Sequence, residues 1–126
     1  MRLFDKHTVE NLNKYFSTNE EYVANVSLLS TGFSLQTVSL YIGSGERTFY
    51  NSPNGTYVWD GDNPDGGPWG KLVRQLAIAA KLETPKILRI CFESGDSLDI
   101  ETVEGRSESV VIEFPPKGDT KIMDIY

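Results

Sequence analysis

Apolar and polar residues alternate along the last third of this 126-residue chain. The alternating runs are residues 87–93, 97–103, 107–114 and 120–126. Turn-forming residues such as Gly95, Gly105 and Pro115 separate them. A period of two is typical of half-buried strands, whose successive side chains point to opposite faces of a sheet. The pattern therefore predicts an antiparallel meander over this part of the chain.

A helical spacing precedes the meander. Apolar residues recur there at intervals of three and four, at Trp69, Leu72, Val73, Leu76, Ala77 and Ala80. Pro68 suits the first position of a helix, and Pro85 would end it. The spacing predicts an amphipathic helix over 68–82 that packs across the sheet. Its expected contacts are Leu88, Ile90, Leu98, Ile100, Val110 and Ile112.

The first sixty residues predict a shorter helix followed by strands. Thr8 is the expected helix cap, with Val9, Leu12 and Phe16 on one face and the end near residues 17–19. The strand-like runs are 22–29, 34–42, 47–50 and 57–59, with Val38, Leu40 and Ile42 expected to line one face of the second. The predicted fold class is α+β, a single domain over residues 1–126. An antiparallel sheet carries the C-terminal meander, an amphipathic helix packs across it, and a short helix lies at the N-terminus.

Charge and composition restrict the partners. Eighteen acidic residues against twelve basic ones give a net charge of -6, which repels nucleic acid and anionic membrane and favours a basic partner. Cys91 is the single cysteine, and no apolar stretch approaches the roughly 20 residues that span a membrane. The N-terminal residues also lack a secretory signal, so we expect a cytoplasmic protein.

Candidate catalytic and metal-binding motifs fail on spacing. The loop from Asp60 to Asp65 resembles a calcium loop in composition, but Pro64 stands at its fifth position and Lys71 at its twelfth. His7 and Cys91 are the only residues of their types, which is too few for a zinc site of the usual kind. The sequence therefore predicts a protein that is not an enzyme and needs no metal or cofactor.

Acidic residues are concentrated between Glu93 and Glu113, where Arg106 is the only basic residue. Strand alternation would direct many of these carboxylates to one outer face of the sheet. We therefore predict an acidic docking face for a basic protein. Its candidate binding residues are Asp99, Glu101, Glu108 and Glu113.

A family resemblance adds to this picture. The shared elements are Phe92-Glu93-Ser94-Gly95-Asp96, Leu98-Asp99-Ile100 and Glu108-Ser109. With these elements, residues 88–112 resemble the C-terminal meander of small bacterial immunity proteins, which are encoded beside polymorphic or contact-dependent growth inhibition toxins. The resemblance implies a protein that binds a cognate toxin domain, often a nuclease, and occludes its active site or substrate cleft.

Two alternatives remain open at this point. One is a small-ligand-binding or enzymatic domain with a pocket formed by Tyr50, Tyr57, Trp59 and the loop from Asp60 to Asp65. The other is a subunit of an assembly that pairs through an exposed edge strand ending at Tyr126.

Overall fold

The structure is a computed structural model that describes residues 3–29, 32–60, 68–103, 109–117 and 120–126. In chain order its elements are α1 (Lys6–Thr18), β1 (Glu21–Leu29), β2 (Gly32–Thr37), β3 (Tyr41–Ser44), β4 (Thr48–Ser52), β5 (Gly55–Trp59), a 3₁₀ turn (Trp69–Leu72), β6 (Leu76–Thr84), β7 (Ile87–Phe92), β8 (Ser97–Glu101), β9 (Val110–Lys117) and β10 (Thr120–Ile125). The fold is α+β with mostly strands. In the described ranges no helix is long and apolar enough to cross a membrane.

The strands form one antiparallel ten-stranded sheet in the order β10-β9-β3-β2-β1-β6-β7-β8-β4-β5. β1 joins two parts of this sheet, because Glu21 and Tyr22 pair with β6 whereas Val23 to Leu29 pair with β2. We call β6, β7, β8, β4 and β5 the β6 half. We call β2, β3, β9 and β10 the β9 half.

The two halves fold onto each other. β2 and β5 lie six positions apart in the strand order, which is roughly 29 Å in a flat sheet. The ring centroids of Phe33 on β2 and Trp59 on β5 are nevertheless only 6.4 Å apart. The sheet must therefore bend so that the inner faces of its halves enclose a common core, while their outer faces point in opposite directions.

The predicted sheet residues of the core are confirmed. All are fully buried, with no more than 2% of their surface exposed: Leu88, Ile90, Leu98, Ile100, Val110 and Ile112. Trp69 and Leu72 are buried with them. Their burial follows from the period-two alternation, which sends these side chains to the inner face.

The predicted helix over 68–82 is wrong, because this segment forms the 3₁₀ turn and then strand β6. The pairing of β6 with β7 slips between Ala77 and Ala79, as in a β-bulge. An extra residue at a bulge lets Ala77 and Ala80, three positions apart, both face the core. The bulge thus imitates helical spacing. Val73 is exposed and Leu76 only half-buried, so the apolar stripe is not continuous.

The four-stranded meander is also wrong. β7 pairs with β8 and β9 pairs with β10, but β8 lies against β4 and β9 lies against β3. The run 34–42 is likewise two strands, β2 and β3, rather than one. Val38 lies in the connection between them and is 68% exposed, not part of a buried face.

The N-terminal helix is confirmed, with a different cap. Asp5 is the N-cap and accepts hydrogen bonds from the main-chain N–H groups of His7 and Thr8. Thr8 is the third helical residue and completes a capping box, while Leu12 and Phe16 are buried on the expected face. The helix packs mainly on β6.

Candidate functional site

Asp99 and Glu101 lie on the outer face of the β6 half, where arginines from other parts of the chain neutralise them. Arg89 on β7 donates two hydrogen bonds to Asp99, from Nε at 2.7 Å and from Nη2 at 2.9 Å. Arg47, just before β4, donates in the same way to Glu101 at 2.9 and 2.8 Å. The side chains of Asp99 and Glu101 are 14% and 17% exposed. This part of the predicted acidic face therefore carries little net charge.

These ion pairs also affect the arginines. The hydrogen bonds to Asp99 raise the pKa of Arg89, and those to Glu101 raise the pKa of Arg47. In the sequence, Arg106 is the only basic residue between Glu93 and Glu113. A basic residue that is distant in the chain can nevertheless lie beside an acid in the folded sheet, and the sequence alone does not show this. Arg47 is such a residue, since its strand is the lateral neighbour of β8.

Glu113, the third described candidate, lies on a different face. Glu113 lies on β9, with Tyr41 and Met123 as its register neighbours on β3 and β10. It belongs to the outer face of the β9 half, which points away from Asp99 and Glu101. Glu108 lies outside the described residues. Of the candidate acids that it describes, the structure therefore places Asp99 and Glu101 together and Glu113 on a different face.

The predicted aromatic pocket is largely core. Tyr50 and Trp59 are each 1% exposed, and only Tyr57 is half-buried. The hydroxyl of Tyr50 donates to Asp96 at 2.6 Å, and burial together with this bond raises the pKa of Tyr50 to about 12. Asp60 is described, but the rest of the proposed loop, residues 61–65, lies outside the described residues. Tyr50 and Trp59 stabilise the fold rather than face a ligand.

A groove with a volume of about 520 Å³ crosses the outer face of the β9 half. Its surface includes the backbone of β2 and β3 at Gly32 and Gly43. The ring of Tyr41 lies over Gly43 so closely that a Cβ at that position would be 2.9 Å from its hydroxyl. Glycine in a strand often marks such a close approach. The absence of a side chain at Gly43 therefore makes room for the ring of Tyr41, which forms part of the groove surface.

The walls of the groove combine apolar side chains with one carboxylate. Leu29 is 58% exposed and Met123 is 38% exposed, and Tyr41 and Val111 are half-buried beside them. Of the described residues that line the groove, Glu113 alone is charged. An apolar channel with a carboxylate suits a lysine or arginine side chain, because the aliphatic stem can pack while the charged group meets the acid.

A smaller groove of about 170 Å³ lies between α1 and the strands β9 and β10. Lys14, Lys117 and Asp124 line it together with Tyr15 and Phe114, whose ring centroids are 5.6 Å apart. Its charges are mixed, so it indicates no single class of ligand.

The remaining chemical groups are dispersed. Cys91 is half-buried on β7, and His7 is exposed on α1 with Nδ1 3.7 Å from Glu10. Within the described ranges, no group of three or more His, Cys, Asp or Glu side chains could hold a metal ion. No protein-family model, curated protein or solved structure matches this chain.

Proposed function

We propose that this protein is an immunity-type inhibitor, which binds a basic segment of a cognate toxin domain in the groove around Glu113. The observation that carries the proposal is the groove itself, which places a carboxylate among exposed apolar side chains. Methionine and tyrosine side chains, here Met123 and Tyr41, are enriched in protein interfaces, where a few anchors contribute most of the binding energy.

The groove supports docking better than the face around Asp99 and Glu101. Asp99 and Glu101 line neither of the two grooves described above, whereas Glu113 lines the larger one together with the exposed side chains of Leu29 and Met123. A concave and largely apolar surface gives an incoming anchor side chain more area to pack against.

The charge of the whole molecule supports a basic partner. A net charge of -6 accelerates the encounter with a positively charged domain, most strongly at low salt. Residues 88–112 resemble immunity proteins, and many of the toxins that such proteins neutralise are nucleases with basic clefts. In this proposal the protein covers such a cleft stoichiometrically, and a lysine or arginine of the toxin packs beside Met123 and Tyr41, the register neighbours of Glu113, to reach its carboxylate.

The test is calorimetric binding of the toxin domain encoded by the neighbouring gene. Glu113→Lys is expected to weaken binding at least about tenfold, because it places like charges together at a central anchor. Glu20→Lys is the matched control, since Glu20 is exposed, does not line the groove and undergoes the same charge change. Equal binding by both variants would refute the groove as the site. A genome without an adjacent toxin, or a toxin that does not bind, would refute the immunity function.

A second candidate is binding of a small ligand in the same groove. Its volume of about 520 Å³ falls within the usual range of roughly 300–1,000 Å³ for ligand pockets. A ligand that binds the folded state raises the melting temperature. A metabolite that raises it for the parent but not for Gly43→Leu, whose side chain would displace the ring of Tyr41 and so change the shape of the groove, would favour this candidate.

A further inference from the structure

Strand β10 forms one edge of the sheet and presents apolar side chains there. Its only strand neighbour among the described elements is β9. Met123 and Ile125 on its outer face are 38% and 36% exposed, opposite Glu113 and Val111 of β9. An edge strand with exposed apolar side chains is a template for pairing with another strand.

Two other edges of the sheet, those of β5 and β6, have polar or helical cover. At the opposite end, β5 bears none of the large apolar side chains that are exposed, and the hydroxyl of its Thr56 donates to Asn51 on β4. The part of β6 that extends beyond β1 is covered by α1. Here Asn13 accepts from the N–H of Ala80 and donates to its carbonyl oxygen, as a neighbouring strand would.

We propose that β10 pairs antiparallel with β10 of a second copy, which gives a twofold dimer. A twofold axis normal to the sheet makes an edge strand complementary to itself. The chain carries a net charge of -6, but β10 contains one lysine and one aspartate, Lys121 and Asp124, and is neutral by sequence. Two copies can therefore approach along this edge with less repulsion than over an acidic surface.

The charges are compatible with a register centred on Met123. With Met123 opposite Met123, residue 121 of one strand lies opposite Ile125 of the other, and Ile122 lies opposite Asp124. No like charges then face each other directly. A register centred on Asp124 would place two carboxylates opposite each other, which is unfavourable.

This dimer has a consequence for the groove. Because the twofold axis is normal to the sheet, the outer faces of both β9 halves point to the same side. Met123 lines the groove and also stands at the dimer axis. The dimer would therefore present two grooves side by side on one continuous surface, in the order β2-β3-β9-β10-β10-β9-β3-β2.

Sedimentation velocity from low micromolar to near-millimolar protein tests the dimer. The parent is expected to shift from 14.1 kDa to twice that mass as the concentration rises. Met123→Lys should remain a monomer, because it places two lysines opposite each other at the axis. Val38→Lys, a change at an exposed apolar site in the β2–β3 connection, should dimerise like the parent. A parent that is monomeric throughout, or a Met123→Lys variant that dimerises normally, would overturn the proposal.

A cysteine variant tests the register independently. In a Cys91→Ser background, Met123→Cys is expected to form an intermolecular disulfide under mild oxidation, because the two positions face each other at the axis. Val38→Cys in the same background should not. Dimers that sediment normally but fail to cross-link through residue 123 would contradict this register.

Discussion

At the scale of single residues, polar contacts of buried side chains connect distant parts of the chain. Tyr126 is fully buried, with its ring centroid 4.8 Å from that of Phe4. Its hydroxyl is 2.8 Å from Oγ1 of Thr8 on α1, and its main-chain oxygen accepts from the N–H of Ser109 at 2.7 Å. One residue thus links α1, through its side chain, to the segment that enters β9, through its main chain.

Substitutions at Tyr126 should separate packing from hydrogen bonding. Tyr126→Phe keeps the ring and is expected to lower the free energy of unfolding by about 1 kcal/mol, as for the loss of one hydrogen bond. Tyr126→Ala also leaves a cavity and should cost about 3–5 kcal/mol. Denaturant unfolding measures both. If the alanine variant cost no more than the phenylalanine variant, the packing role of the ring would be wrong.

The helix cap should make stability depend on pH. Main-chain hydrogen bonds, chiefly from Thr8, lower the pKa of Asp5 below its ordinary value of 3.8. The charged carboxylate therefore stabilises the folded state above pH 3.8, and this contribution is lost as the pH falls through the folded-state pKa. Asp5→Ala should cost about 1 kcal/mol at pH 7. The difference in unfolding free energy between Asp5→Ala and the parent should shrink below pH 3.8. A difference that stays constant as the pH falls would show that the charge of Asp5 does not stabilise the helix.

At the scale of elements, α1 acts as a cover for the edge of β6. The two hydrogen bonds between the amide of Asn13 and the main chain of Ala80 are 2.7 and 3.0 Å long. β1 pairs with β6 only at Leu76 and Ala77 and does not extend to Ala80. The Asn13 amide therefore satisfies the backbone N–H and carbonyl of Ala80. The helix therefore replaces a strand that is missing at this position.

Removal of that cover should destabilise the fold. Asn13→Ala leaves the N–H and carbonyl of Ala80 without their side-chain partner and is expected to cost about 1–3 kcal/mol. Asn11→Ala, an exposed change two residues earlier on the same helix, should stay within about 0.5 kcal/mol. Thermal or denaturant unfolding compares them. Equal stability of the two variants would show that the Asn13 amide does not protect the edge.

The elements also show what a sequence can and cannot predict. Alternation located β7, β8, β9 and β10, and it identified core residues such as Ile90 and Ile112, because burial on one face follows from local periodicity. The bulge between Ala77 and Ala79 gave β6 the spacing of a helix, which no local rule separates from a true helix. Strand order depends on pairing between distant segments. The meander was therefore wrong, and the arginine partners of Asp99 and Glu101 and the groove were missed.

At the scale of the whole molecule, the bend at β1 gives the protein two different outer faces. The β6 half presents cross-strand ion pairs such as Arg89 with Asp99. The β9 half presents the groove with Glu113, Tyr41 and Met123. We expect the first face to contribute mainly to stability and the second to binding.

A substitution on the first face should affect stability alone. Asp99→Asn keeps the size of the side chain but removes the charge that Arg89 meets. Because Arg89 is one-third exposed, the expected loss is only about 0.5–1 kcal/mol. Affinity for the toxin domain should stay unchanged when measured well below the melting temperature. A large loss of affinity would indicate that the toxin domain binds the outer face of the β6 half instead.

Hydroxyl-radical footprinting of the complex with the toxin domain tests the central claim most directly. It reports the solvent access of side chains on both faces in one experiment. Tyr41 lines the groove, while Cys91 and Phe49 are half-buried on the outer face of the β6 half. At a fixed protein concentration, we expect the toxin domain to slow the oxidation of Tyr41 and to leave Cys91 and Phe49 unchanged. Protection of Cys91 and Phe49 with no change at Tyr41 would contradict the account.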